Sequence, residues 1–102
     1  MKEQQLTEYG KINFLDEGDS DTLEAVRPAF INLIEDLRQL PETASEVEKL
    51  VPFAKAINSV NQFEEGIETV ERETILKAIY AIGEIVGLAP QTEFAEEWRG
   101  DW

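Results

Sequence analysis

Ten residues, 64 to 73, hold five glutamates: Glu64, Glu65, Glu68, Glu71 and Glu73. Carboxylates packed this closely have three uses. They can hold a hard cation between them. They can occupy the first turn of a helix, where negative charge suits the positive end of the dipole. They can also form a docking patch for a basic surface. Few other reactive groups are available. The chain has no cysteine, which excludes a thiol nucleophile, a disulfide framework and a Cys-based metal site. It has no histidine, which removes the commonest general base, the commonest metal ligand and the near-neutral pH switch. Lys77, the other lysines and the two tyrosines complete the inventory. No G-x-x-x-x-G-K-[ST], G-x-G-x-x-G or G-x-S-x-G motif occurs.

The string EEGIE, Glu64 to Glu68, matches the E-E-x-x-E part of a signature seen in all-α nucleotide pyrophosphohydrolases. There, glutamates on facing helices hold Mg²⁺. The match goes no further. Gly66 interrupts the helix such a site needs, and no E-x-x-D follows at a suitable distance. A cation held between two helices needs carboxylates from both, and the long apolar stripes carry almost none. A di-iron bundle needs E-x-x-H pairs, hence histidine. The acidic stretch DEGDSD, residues 16–21, invites a calcium loop. Counted from Asp16, Gly18 falls at the third position and Asp21 where the obligatory glycine belongs; counting from Asp19 also fails. The sequence therefore predicts no catalytic residue, no metal site and no cofactor. The clustered glutamates read as solvated surface at a helix start and, if they act, as a docking patch. A carboxylate–Mg²⁺ nucleotide hydrolase ranks last among the readings weighed.

The formal charge of −13 argues against nucleic acid and against an anionic membrane surface as partners, since both reward clustered Lys and Arg. It permits a protein partner with a basic surface, approached under electrostatic steering. Its plainest meaning is solubility. The N-terminus MKEQQLTEYG lacks the apolar region of a signal peptide, and no apolar run is long enough to span a bilayer. A cytoplasmic protein is the resulting expectation.

The elements that must position the glutamates are helical. The strongest pattern is Thr69–Leu88, with Ile75, Ile79, Ile82 and Val86 in one stripe, widened by Leu76, Ala78, Tyr80 and Ile85. Thr69 suits its N-cap, Gly87 with Leu88 its C-terminal closure, and Pro90 its stop. Gly83 inside it reads as a close packing contact. An earlier helix spans about Thr22–Leu40, capped by Ser20 or Asp21. Its seam is Leu23, Val26, Phe30, Leu33, Leu37 and Leu40, and it runs on through Pro28 as a kinked continuous helix until Pro41 ends it. Thr43 and Glu46 have capping-box spacing, which starts the next helix near Ala44. Its expected face is Val47, Leu50, Ala54, Ile57, Val60 and Phe63, broadened by Val51, with Pro52 kinking or splitting it and Gly66 closing it. Thr92 would cap a short final helix, about Glu93–Arg99. Residues 1–20 form a short helix or an extended arm. The expected fold is thus an all-α bundle in one domain: three long helices and a short C-terminal one, with an N-terminal helix as the alternative to the arm.

Trp98 and Trp102 are expected to dock on the bundle, because large aromatics contribute most when buried. The alternative is an exposed aromatic patch that binds a partner. The candidate partner-binding residues are accordingly Glu64, Glu65, Glu68, Glu71, Glu73, Trp98 and Trp102.

The second half of the chain resembles small uncharacterised bacterial helical proteins. The shared plan is an A-x-N-x-x-N-type helix (Ala56 to Asn61), an acidic I-E-T turn (Ile67 to Thr69) and an E-R-E helix start (Glu71 to Glu73). An aliphatic run follows (Ile75 to Gly87), then an E-W-R-x-W-like tail (Glu97 to Trp102). The resemblance implies a non-enzymatic helical protein and transfers no catalytic residue. Some similar small acidic proteins are candidate immunity partners of toxins. The leading expectation is a binding protein of this kind, neutralising a basic toxin; the second is a self-associating homodimer, joined by the tryptophans or by an overflow of the central stripe.

Overall fold

The computed structural model describes residues 2–100 and 102. Among the described residues, four α-helices form in the order α1 (Lys2–Lys11), α2 (Ser20–Gln39), α3 (Glu46–Asn61) and α4 (Thr69–Ile85). Short 3₁₀ turns follow α3 at Glu64–Gly66 and α4 at Pro90–Thr92 and Phe94–Glu97. The fold is all-α, and the first segment holds a helix over Lys2–Lys11 followed by a loop.

The seam on α2 packs as its spacing requires. Leu23, Val26, Phe30, Leu33 and Leu37 are buried, with Ile34 beside them. Pro28 lies inside an unbroken helix, on its exposed side. Leu40 is the C-cap, extended at φ −74° and ψ 142°, the conformation that Pro41 imposes on the residue before it. In α4, Ile75, Ala78, Ile79, Ile82 and Val86 are buried. Its end is a Schellman closure. Gly87 takes φ +88°, and the Leu88 N–H donates to the Gly83 carbonyl at 2.8 Å. Leu6 of α1, with Phe14 and Leu15 beyond it, completes a single core shared with α2, α3 and α4.

The caps differ from the sequence expectation, each by a small shift. Asp19, not Ser20 or Asp21, caps α2: its Oδ2 accepts from the Thr22 N–H at 3.0 Å. Ser45 and Glu48, not Thr43 and Glu46, form the capping box of α3. Both pairs have the S/T-x-x-E spacing, so spacing alone leaves the choice open. Glu68, not Thr69, is the N-cap of α4.

The buried face of α3 is also rotated from expectation. Pro52, Phe53, Ala56, Ile57 and Val60 point inward, while Val47 is 71% exposed and Val51 64%. Leu50 is half-buried and Phe63 lies beyond the helix, 40% exposed. Phe53 explains the rotation. Its ring is fully buried and meets the edge of Phe94 with centroids 5.0 Å apart. An aromatic gains more by burial than either valine does.

The expected short final helix is present as a 3₁₀ helix, Phe94–Glu97, preceded by Glu93 and not capped by Thr92, whose hydroxyl donates to the Ala89 carbonyl. Glu93 adopts a left-handed conformation (φ 49°), and Phe94 turns in to lie over Gly83. The expected close packing at Gly83 is therefore present, with an aromatic ring as the neighbour. Trp102 is buried and Trp98 half-buried, so both tryptophans dock. Among the described residues, no helix is long and apolar enough to cross a membrane.

Candidate functional site, an acidic pole

Asn61 ends α3 and clamps the tail. Its Nδ2 donates to the Trp98 carbonyl at 2.9 Å. Its Oδ1 accepts from the Gly100 N–H at 2.9 Å and from Trp102 Nε1 at 2.6 Å. Trp102 is therefore held against the end of α3. Arg99 reinforces the hold, donating to the Trp102 carbonyl and pairing with Glu96 at 2.5 Å.

Glu71 joins two distant segments. Its Oε1 accepts from the Glu68 N–H at 3.0 Å, the local half of a helix-start box. Its Oε2 accepts from the Asp19 N–H at 2.8 Å, 52 residues away in sequence. One turn on, buried Thr74 donates its hydroxyl to the Glu17 carbonyl at 2.6 Å. The loop before α2 is thus tied to the first turns of α4. Gly18 permits the approach. It takes φ +128°, and a Cβ there would sit 2.7 Å from Glu71 Oε2. The hydrogen bond from Asp19, and after it that from Glu68, holds the Glu71 carboxyl below the usual glutamate range.

These ties gather the start of α2, the end of α3 and the start of α4 at one end of the bundle. Thr22 Oγ1 on α2 lies 3.3 Å from the Gly66 carbonyl. Residues 16–25 and 62–71 contain no Lys or Arg. Between them runs an open groove of about 450 Å³, lined by Asp21, Thr22 and Ala25 on one side and by Asn61 to Gly66 on the other. Half-exposed Phe63 lies in it. A smaller depression of about 160 Å³ lies between Asp16 and Glu17 on the loop and Glu73 and Lys77 on α4.

The seven candidate residues fall into different environments. Glu65 is exposed and Glu64 half-buried, and both line the groove with Asp21. Glu68 is exposed at the helix start, and Glu73 faces the separate depression. Glu71 and Trp102 are buried, and Trp98 lies half under the surface. The structure adds Asp16, Glu17, Asp19 and Asp21, which the sequence offers only as a rejected calcium loop and, at Asp21, as a candidate helix cap. Their density was visible; their place beside Glu64–Glu73 depends on contacts more than fifty residues apart. Among the described residues, no group of three carboxylates converges as a metal site would require. What this pole can do chemically is present negative charge around an apolar spot. No protein-family model, curated protein or solved structure matches the chain.

Proposed function

We propose that the protein is a non-enzymatic binding protein whose acidic pole covers a basic surface on a protein partner. The observation that carries the reading is the convergence of two lysine- and arginine-free segments, 16–25 and 62–71, on one groove. The groove offers Asp21, Glu64 and Glu65 for charge and Phe63 for apolar contact. Clustered like charge of this kind steers a complementary surface and raises the rate of encounter. The overall charge of −13 and the resemblance to small acidic helical proteins favour neutralisation of a basic toxin, as an immunity protein does, as the form this binding takes. Glu71 and Trp102 belong to the scaffold beneath the pole and not to the contact surface.

The test compares the tagged protein with a variant carrying Asp21→Lys and Glu65→Lys, using capture from lysate of the cells it comes from. The expected result is a basic protein retained by the unaltered chain, released as salt rises, and absent from the variant. Helical circular dichroism should be unchanged, because these carboxylates lie at the surface. Recovery of the same proteins by both chains would refute the proposed surface.

A further inference from the structure

The outer face of α3 carries Val47 and Val51 one turn apart. They are the most exposed of the large apolar side chains, at 71% and 64%. Helical spacing continues their line through half-buried Ala54, with Leu50 beside it. The two valines lie on the side of α3 opposite Phe53, Ala56 and Val60, and among the described residues they stay largely uncovered.

The charges around the stripe identify what could. The chain as a whole carries −13, yet α3 is neutral, its Glu46 and Glu48 balanced by Lys49 and Lys55. A strongly basic partner finds no net charge here to attract it. Lys49 is off the stripe: its Nζ lies near Gly87, just beyond α4, 3.8 Å from where a Cβ would stand. Glu48 and Lys55 flank the stripe on the same side, seven residues apart; Glu48 gives one carboxylate oxygen to the Ser45 N–H in the capping box and, being exposed, has a second oxygen for another donor. In an antiparallel helix pair, equivalent flanks face each other. A two-fold axis near Val51 sets Val51 against its own copy, and Glu48 against Lys55 of the second chain, twice over. The existing bridge from Lys55 to Asp36 is long, 3.7 Å, and its lysine is 70% exposed, so Lys55 can leave it at little cost.

We propose that the Val47–Val51 face of α3 is a homodimer contact, in which two copies pair antiparallel about Val51. The contact is distinct from the acidic pole and does not depend on it. It is small beside the roughly 800 Å² per partner of a stable interface, so the dimer is weak and forms at high concentration. Each copy carries −13, so raised salt relieves their mutual repulsion and strengthens the pairing. Binding of a basic partner at the pole has the opposite salt dependence, which separates the two readings.

The chain's lack of cysteine gives a direct test. Val51→Cys is compared with Ile31→Cys, a control on exposed α2 surface, with oxidised glutathione as the oxidant. Thiols held together by the pairing should cross-link at least about tenfold faster than thiols meeting at random. The rate should rise with salt. Adding Lys55→Glu should reduce the Val51→Cys rate to that of the control, and adding Glu48→Gln as well, which keeps the capping box and removes the new repulsion, should recover part of it. Sedimentation of the unaltered chain should show a dimer that grows with concentration and salt. Equal cross-linking at the two positions, or indifference to the charge changes, overturns the proposal and leaves the stripe to a partner other than this chain.

Discussion

Gly83→Ala sets two well-understood effects against each other, and the structure decides which prevails. Alanine in a helix interior is favoured over glycine by about 1 kcal/mol. An account based on the helix alone therefore expects stabilisation. But Gly83 is buried, and a Cβ on it would lie 2.9 Å from Phe94 Cζ and 3.1 Å from Cε2. Carbon atoms prefer about 3.5–4.0 Å, so the ring must retreat by more than half an ångström. It has little room to do so. Phe53 stands edge-on at 5.0 Å and Tyr80 at 5.1 Å, and both belong to the same packed layer. Overfilling such a site costs about 1–3 kcal/mol. The net expectation is destabilisation by about 1 kcal/mol, or a fall in Tm of about 4–8 °C for a domain of this size.

The assay is urea unfolding followed by circular dichroism, done as a double-mutant cycle with Phe94→Leu. The leucine variant is destabilised in its own right, since it gives up ring contacts. In that background, however, the obstacle to the new methyl is gone, and Gly83→Ala should stabilise by up to about 1 kcal/mol. The sign of the alanine effect should thus reverse between backgrounds, a coupling well above the few tenths expected of independent sites. Stabilisation by Gly83→Ala in the unaltered protein would refute the reasoning. So would equal effects in the two backgrounds, which would show that Phe94 does not press on α4.

Two further substitutions test the joints of the acidic pole. Asn61→Ala removes three hydrogen bonds to the tail and should cost about 1–3 kcal/mol. It should also shift tryptophan emission to the red as Trp102 loses its seat, and an unchanged emission maximum would contradict the clamp. Glu71→Gln addresses pH. The folded protein holds this carboxyl below its ordinary range, chiefly through the Asp19 N–H. Its contribution is therefore present above the ordinary glutamate range and is lost as pH falls through the lowered folded value. Stability measured against pH should show the variant weaker at neutrality and the two proteins converging on acidification; parallel curves would show that Glu71 does not sense folding.

The long helices could be read from the chain because one periodicity dominated each of them. Leu23 to Leu37 on α2 and Ile75 to Val86 on α4 admit a single buried face. Helix α3 does not. Val47, Leu50, Val51, Phe53, Ala54, Ala56, Ile57 and Val60 leave little of its circumference clearly polar. Two stripes fit, sharing Ile57 and Val60, and the burial of Phe53 selects between them. That choice belongs to packing against Phe94, forty-one residues later, and no local pattern contains it. The caps were ambiguous for a related reason. Thr43 and Ser45 each have a glutamate three residues on, and spacing alone does not choose between them. As for the pole, the glutamates were plain in the sequence and their division of labour was not. Nothing local marks Glu71 as the buried acceptor of two backbone amides while Glu65 and Glu68 stay in solvent.

That division bears on how the acidity should be understood. The starts of α2 and α4 both lie at the pole, each bringing the positive end of a helix dipole and unpaired backbone N–H groups. Asp19, Glu68 and Glu71 stand where such groups need acceptors or negative charge, and this much of the acidity is explained by folding alone. Asp21, Glu64 and Glu65 line the groove, and Asp16, Glu17 and Glu73 the depression beside it; none of these six is the N-cap of a helix. Their mutual repulsion is lessened by the two dipoles beneath them, so the fold can hold a dense negative surface without unfolding itself. Charge reversal at Asp21 and Glu65 removes the surface and spares the scaffold, whereas substitution of Glu71 does the reverse. Binding lost with the first and stability lost with the second is the pattern that would separate a docking surface from an incidental consequence of helix capping.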